Sequence, residues 1–153
     1  MTPRKELFVA MKDVLKTIPE LEWVDLFRNQ FGDQHWTAAF IRIGSIRWGT
    51  MTQNKQEGDC VVDVLFYCKD GWMDQHHKTE DPEDGLNEID LIDAIVDKLQ
   101  FIYGEHFTPL QQNEEEDEEQ EIKGIMSYRL SFETKLYRTL KTKYTSKKVT
   151  LNN

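Results

Sequence analysis

Residues 3–18 carry apolar side chains at helical spacing: Leu7, Phe8, Met11, Val14, Leu15 and Ile18 form one stripe. Thr2 supplies an N-cap, and Pro3 takes the first helical position, where its missing N–H costs nothing. Pro19 then ends the helix, because the residue before a proline is pushed out of the α region. The spacing changes to alternation in the next three segments. Residues 21–31 place Leu21, Trp23, Asp25 and Phe27 on one face and Val24, Leu26 and Arg28 on the other. In 38–48, Phe40, Arg42, Gly44, Ile46 and Trp48 oppose Ala39, Ile41, Ile43, Ser45 and Arg47. In 59–69, Cys60, Val62, Val64, Phe66 and Cys68 oppose Asp59, Val61, Asp63, Leu65, Tyr67 and Lys69.

A polar stretch with two glycines, residues 49–58, reads as a long hairpin loop, and residues 70–86 as a second polar connection. Helical spacing then returns. Asn87 with Asp90 resembles a capping box, Ile89, Ile92, Ile95, Val96, Leu99 and Ile102 make the buried stripe, and Gly104 sits where a left-handed cap belongs. Leu91, Phe101 and Tyr103 lie beside that stripe. Residues 122–138 alternate over an unusually long span, with Met126, Tyr128, Leu130, Phe132, Thr134 and Leu136 on one face and Arg129, Ser131, Glu133 and Lys135 on the other. The order α-β-β-β-α-β predicts an α+β fold: an antiparallel four-stranded sheet with two helices packed on one face. Residues 1–138 form a single domain, and 139–153, with four lysines and no acid, a basic flexible tail. Leu7, Met11, Leu15, Val62, Val64, Phe66, Ile92, Ile95, Leu99, Met126, Leu130 and Phe132 are the predicted core.

Charge modifies this picture in one region. Of the 153 residues, 19 are Lys or Arg and 28 Asp or Glu, a net charge of −9. Residues 114–121 alone hold seven acids and no base, whereas 122–153 hold eight bases and one acid. So dense an acidic run repels itself, which predicts a mobile loop over 111–121. The acidic body argues against general duplex binding, which needs clustered Lys and Arg. Apolar runs are far shorter than the roughly 20 residues that span a bilayer, so no membrane association is expected. The first residues, MTPRKELFVAMKD, have no uninterrupted apolar stretch of the signal-peptide kind, so export is not expected. Cys60 and Cys68 share a strand face about 26 Å apart, too far to bridge, and read as buried free thiols in a reducing compartment.

Candidate chemistry is sparse. No phosphate-binding glycine loop and no nucleophile elbow occur. Ser45 lies inside a strand. Adjacent His76 and His77 point to opposite sides of an extended chain, so with Asp74 and Glu80 they read as a solvated loop rather than a ligand set. His35 stands alone, and His106 suits the C-terminal carbonyls of the second helix. Asp90, Asp93 and Asp97 form the solvated face of that helix, and Asp25 and Asp63 the outer face of the sheet. No catalytic residue, cofactor or metal ligand is assigned, and no enzymatic activity is expected. What remains is large apolar side chains in polar surroundings. Trp72 and Met73 lie in a loop of Asp, Gln, His and Lys, Trp36 in GDQHWT, Trp48 on a sheet face and Tyr137 at the end of the last strand. These are the candidate interface residues, with loops 49–58 and 70–86 as contact loops.

The succession FIRIGSIRW, CVVDVLFYCKDG, EIDLIDAIVDKLQFIYG and GIMSYRLSFETKLY, behind an amphipathic helix that ends near a proline, resembles the tail-completion proteins of long-tailed bacteriophages and prophages. These tail-terminator, head–tail joining proteins close the tail tube. The resemblance covers about residues 5–138. It implies a structural role in virion assembly as a ring, typically a hexamer, with a tail tube protein on one side and a head-completion protein on the other. DNA would pass through without specific binding, and an acidic channel wall would repel its phosphates. It further implies a protein of the bacterial cytoplasm during assembly, and of the virion tail or neck afterwards. Two rival readings stay open. A small α+β ligand-binding protein or enzyme of a bacterium would gather several of Trp23, Asp25, Arg42, Asp63 and His35 in a pocket. An acidic adaptor would bind a single partner.

Overall fold

The computed structural model describes residues 1–30, 37–68, 80–81, 86–118 and 126–141. Helix α1 runs from Pro3 to Leu15, with the Lys5 amide donating to Thr2 Oγ1 at 3.4 Å. Leu7, Met11 and Leu15, one helical turn apart, are fully buried. The helix stops before Ile18. The Thr17 and Ile18 amides donate to Val14 and Leu15 in a tighter final turn that still buries Ile18.

Strands β1 (Trp23–Leu26), β2 (Ala38–Thr50) and β3 (Lys55–Cys68) follow, then α2 (Asn87–Leu99), β4 (Gln111–Glu118) and β5 (Met126–Thr139). They form a five-stranded sheet in the order β1-β2-β3-β5-β4, not the four-stranded antiparallel sheet the alternation predicts. Two causes account for the difference. β1 pairs with β2 in parallel, Val24 opposite Ala39. A two-residue hairpin joins only antiparallel strands, so this pairing is not the tight reversal that alternation in consecutive segments suggests. The second cause is the acidic run. Gln111–Glu118 is an edge strand antiparallel to β5, not a loop.

The expected hairpin loop 49–58 is also mostly strand. The ladder continues to Thr50 opposite Gln56, leaving only 51–54 as the turn. Near Gly44 the register shifts: Ile43 faces Val62 and Ile46 faces Cys60, so two residues oppose Val61 alone. This bulge moves Ile46 and Trp48 to the helix side of the sheet, joining Ile41 and Ile43. Trp48 therefore does not share a face with Phe40 and Arg42, as plain alternation predicts.

Helix α2 begins with Asn87 already helical, and Leu86 precedes it without a side-chain cap. Leu91, Ile92, Ile95 and Leu99 are buried, whereas Ile89 is 50% exposed. Gly104 is not its cap. The helix ends at Leu99, and Phe101 takes the left-handed conformation, φ 69°, while its amide donates to Leu110.

Both helices pack on one face of the sheet, against Val62, Val64, Phe66, Leu130, Phe132 and Leu136. Eleven of the twelve predicted core residues are buried here; the Met126 side chain lies outside the described residues. Cys60 and Cys68 are buried free thiols on this face. The opposite face is not uniformly solvated. Ala38, Phe40, Leu65 and Tyr67 are buried there, with Trp23 edge-on to Phe40 at 5.0 Å between ring centroids.

Candidate functional site

The outer face of the sheet gathers charges from four strands. Asp63, on β3, is only 6% exposed. Arg42, its cross-strand neighbour on β2, donates to Oδ2 through Nε at 3.2 Å and Nη2 at 2.7 Å. From β5, Ser131 donates to Oδ1 at 2.5 Å. A buried carboxylate is stable only when paired and hydrogen-bonded, and these three donors meet that need. The network then crosses to the edge. Arg129 lies two residues from Ser131 on the same face, bonds its hydroxyl at 2.6 Å and approaches Asp63 Oδ1 at 4.0 Å. The same guanidinium reaches Glu114 at 3.4 Å, Glu116 at 2.7 Å and Glu118 at 3.2 Å. Alternation places these three acids on one side of β4, where one cation gathers them. The hydrogen bond to Glu116 foremost, and the other acids with it, holds Arg129 more firmly protonated than usual. Since Arg42 engages the Asp63 carboxylate, Ser131 has a structural partner rather than a free base. The network braces four strands.

A second cluster occupies the end of the sheet where β2, β3 and β5 project together. Trp48 lies across Gly58, where an added Cβ would come within 2.7 Å of the indole. Arg138 of β5 stacks on the ring with Cζ 3.7 Å from its centroid, and Arg4 of α1 approaches at 6.0 Å. Gln56 accepts from Arg138 Nε at 2.9 Å and fixes its plane. Tyr137, on the other side of β5, donates to Glu57 at 3.4 Å, and Glu57 also pairs with Lys135 at 2.9 Å.

His106 bonds Glu6 of α1 at 2.7 Å rather than serving the end of α2. Glu6 also accepts from the amides of Glu105 at 2.5 Å and His106 at 3.4 Å. Burial pushes its carboxyl upward, but these bonds outweigh that and hold it below the ordinary glutamate range.

Of the candidate interface residues, Trp48 and Tyr137 both lie at the projecting end, on opposite sides of the sheet. Trp36, Trp72 and Met73 lie outside the described residues, as do His35, His76 and His77. The network shows what alternation alone missed. Arg129, Ser131 and Asp63 share the outer face, but the acidic run gave no sign of being Arg129's partner. The available signal was the period-two spacing of Glu114, Glu116 and Glu118. An open groove of about 590 Å³ borders β5, lined by Asp59, Thr108, Gln111, Glu133 and Lys135 among others. It includes none of the residues a small-ligand pocket was expected to gather. Among the described residues no group of three His, Cys, Asp or Glu side chains is placed to hold a metal ion. No helix among them is long and apolar enough to cross a membrane.

No family model and no curated protein matches the sequence. The fold is similar to that of a chain in the virion of a native gene transfer agent particle, with a TM-score of 0.56 and 10% identity. The similarity covers 86% of this chain and 95% of that one.

Proposed function

We propose that this chain is a structural protein of a phage-like virion that closes the tail tube and joins it to the head, acting as a ring, with six copies the expected number. One observation carries the reading: the fold likeness to a gene transfer agent virion chain spans nearly the whole of both chains. The position of the projecting strands adds to it, since β2, β3 and β5 extend past both edge strands and offer a surface for an axial partner. In this role the protein catalyses nothing and binds no cofactor. It assembles in the bacterial cytoplasm with a tail tube protein and a head-completion protein, and ends in the virion neck.

The test uses tail tubes from particles lacking this protein. Purified protein should sediment with the tubes, appear by negative-stain microscopy as a cap at one end, and restore joining to filled heads. Protein that remains in the supernatant and leaves tubes open overturns the reading.

A further inference from the structure

The open end of β2 is basic, although the chain as a whole carries a net charge of −9. β1 covers only Ala38–Ile41 of β2. Past it Gly44 and Ser45 form the bulge, and from Ile46 to Thr50 the ladder to β3 runs without a break. The other side of this run has no neighbouring strand among the described residues, and Arg47, Gly49 and Thr50 are exposed along it. Its outward backbone donors and acceptors are a template for an added strand. Guanidiniums stand on both faces of the run. Arg4 and Arg138 flank Trp48 on the helix side, and Arg47 lies on the outer side. None of the three is in ion-pair contact with a carboxylate among the described residues. Of the nearby acids, Glu57 is held by Lys135 at 2.9 Å and Glu6 by His106 at 2.7 Å. Asp59 faces Arg47 across the ladder and lies 4.0 Å from Lys135. Two exposed apolar side chains, Met51 and Leu140, stand at the tip, where the Leu140 amide donates to Asn54.

We propose that this run of β2 docks an extended acidic segment of a different protein, which adds to the sheet beside Ile46–Thr50 and sets its carboxylates against Arg4 and Arg138 on the helix side and Arg47 on the outer side. The open edge decides the shape of the ligand, because an extended chain is what meets a row of alternate N–H and C=O groups about 17 Å long. Charge decides its composition. Side chains of an added strand alternate between the two faces, so acids at successive positions reach the guanidiniums of one face and then the other. Arg138 is already stacked on Trp48 and tied to Gln56, so little ordering is left for binding to do. An arginine on an open edge deters basic strands and favours acidic ones. The same edge argues against a nucleic-acid duplex, whose phosphates could take up the guanidiniums but would leave the backbone groups unpaired. The inference names the chemistry of an axial partner in the proposed virion role, and rests on that reading only for the source of the segment.

The test uses the full chain and short synthetic peptides of Glu-Glu-Thr repeats, which carry acids on both faces when extended. Such a peptide should bind at low salt, weaken as salt rises, and bind about tenfold or more tighter than its Lys-Lys-Thr counterpart. N-methylation of every second residue leaves one edge of the peptide free to pair and should preserve binding. Methylation of every residue removes both edges at unchanged charge and should weaken binding about tenfold or more. Arg47→Glu, at an exposed side chain without an ion pair, should melt as wild type does and bind the peptide less; adding Arg138→Glu should abolish binding. If loss of the Arg138 stack lowers the melt, Arg47→Glu alone decides. Equal binding of the Glu and Lys peptides, equal binding of the three methylation states, or no binding of the Glu peptide at low salt overturns the docking. So does a short DNA duplex, or a second copy of the chain, that binds through these arginines while the peptide does not. The two readings fail separately. Protein that caps tail tubes without binding the peptide keeps the virion role and loses the docking, and protein that binds the peptide without capping tubes does the reverse.

Discussion

Cys60 shows how position in the sheet decides a side chain's chemistry. It is 2% exposed, on the helix side of β3, two residues before Val62. Burial, with a smaller contribution from Asp63 set against Arg4, pushes its thiol up to about 11 from an ordinary value of 9.0. A thiol reacts as its thiolate, so native Cys60 is inert at neutral pH. In a Cys68→Ser background, a thiol reagent at pH 8 should label it only at the rate of unfolding, with denaturant giving full labelling. The same shift links to stability. Below about pH 9 both folded and unfolded thiols are neutral and the contribution is intact. Between about 9 and 11 the unfolded chain loses its proton while the folded one keeps it, so stability falls as pH rises. Cys60→Ala should lose less melting temperature than wild type between pH 8 and 10.5. Equal losses would assign the alkaline decline to other groups.

At the scale of elements, β4 is the strand that composition argues against, and it forms because its acids alternate. Glu114, Glu116 and Glu118 converge on Arg129, while ladder hydrogen bonds to β5 supply the rest. Dense charge on an edge strand also deters uncontrolled pairing with other chains. Arg129→Ala leaves three carboxylates on one side of a strand with no cation in ion-pair contact among the described residues. Amide exchange should then quicken across Gln111–Glu118 while Val62–Phe66 in β3 stays protected; equal protection in the variant would show that backbone pairing alone holds the strand. The clamp between α1 and the turn after α2 responds to acid. Glu6 sits below its ordinary range because His106 and two amides bond it, so its contribution is full above about pH 4.5 and lost as pH falls through its folded value. Glu6→Gln should cost about 1 kcal/mol at pH 7 and flatten the acid side of the melting profile. A profile unchanged in shape would remove Glu6 from that transition.

These elements also show where local pattern suffices. The stripe of α1 and the faces of β3 and β5 follow from period alone, since each depends on side chains within a few residues, whereas in α2 Ile89 of the expected stripe is exposed and Leu91 is buried. A one-residue bulge defeats that reasoning: nothing in FIRIGSIRW reports that two residues oppose Val61, yet this moves Trp48 across the sheet. Parallel pairing of β1 and the Arg129 bridge to β4 escape for a related reason. Both are decided by residues far apart in sequence, which alternation within one segment cannot register. Of the projecting site, the sequence showed Trp48 and Tyr137 as large side chains in polar stretches. It did not show Gly58 as the space the indole occupies, nor Arg4 and Arg138 as its partners.

For the whole molecule, the decisive feature is that one core joins both helices to the three central strands. Leu7, Met11 and Leu15 of α1, Leu99 of α2, and Phe66 and Phe132 of the sheet are all fully buried in the same cluster. Neither helix has a separate store of buried surface, so damage anywhere in the cluster is felt everywhere. Phe66→Ala removes a ring from the sheet side and Leu99→Ala a side chain from the helix side. Each should cost about 2–5 kcal/mol, a large share of the about 5–15 kcal/mol that holds a domain of this kind. Because the damage is shared, each variant should still unfold in one transition, with far-ultraviolet circular dichroism and tryptophan fluorescence giving the same lowered midpoint in urea. Separate midpoints for the two probes, or a Leu99→Ala variant that loses helical signal while its indole fluorescence keeps the wild-type midpoint, would show that α2 is stabilised independently of the sheet.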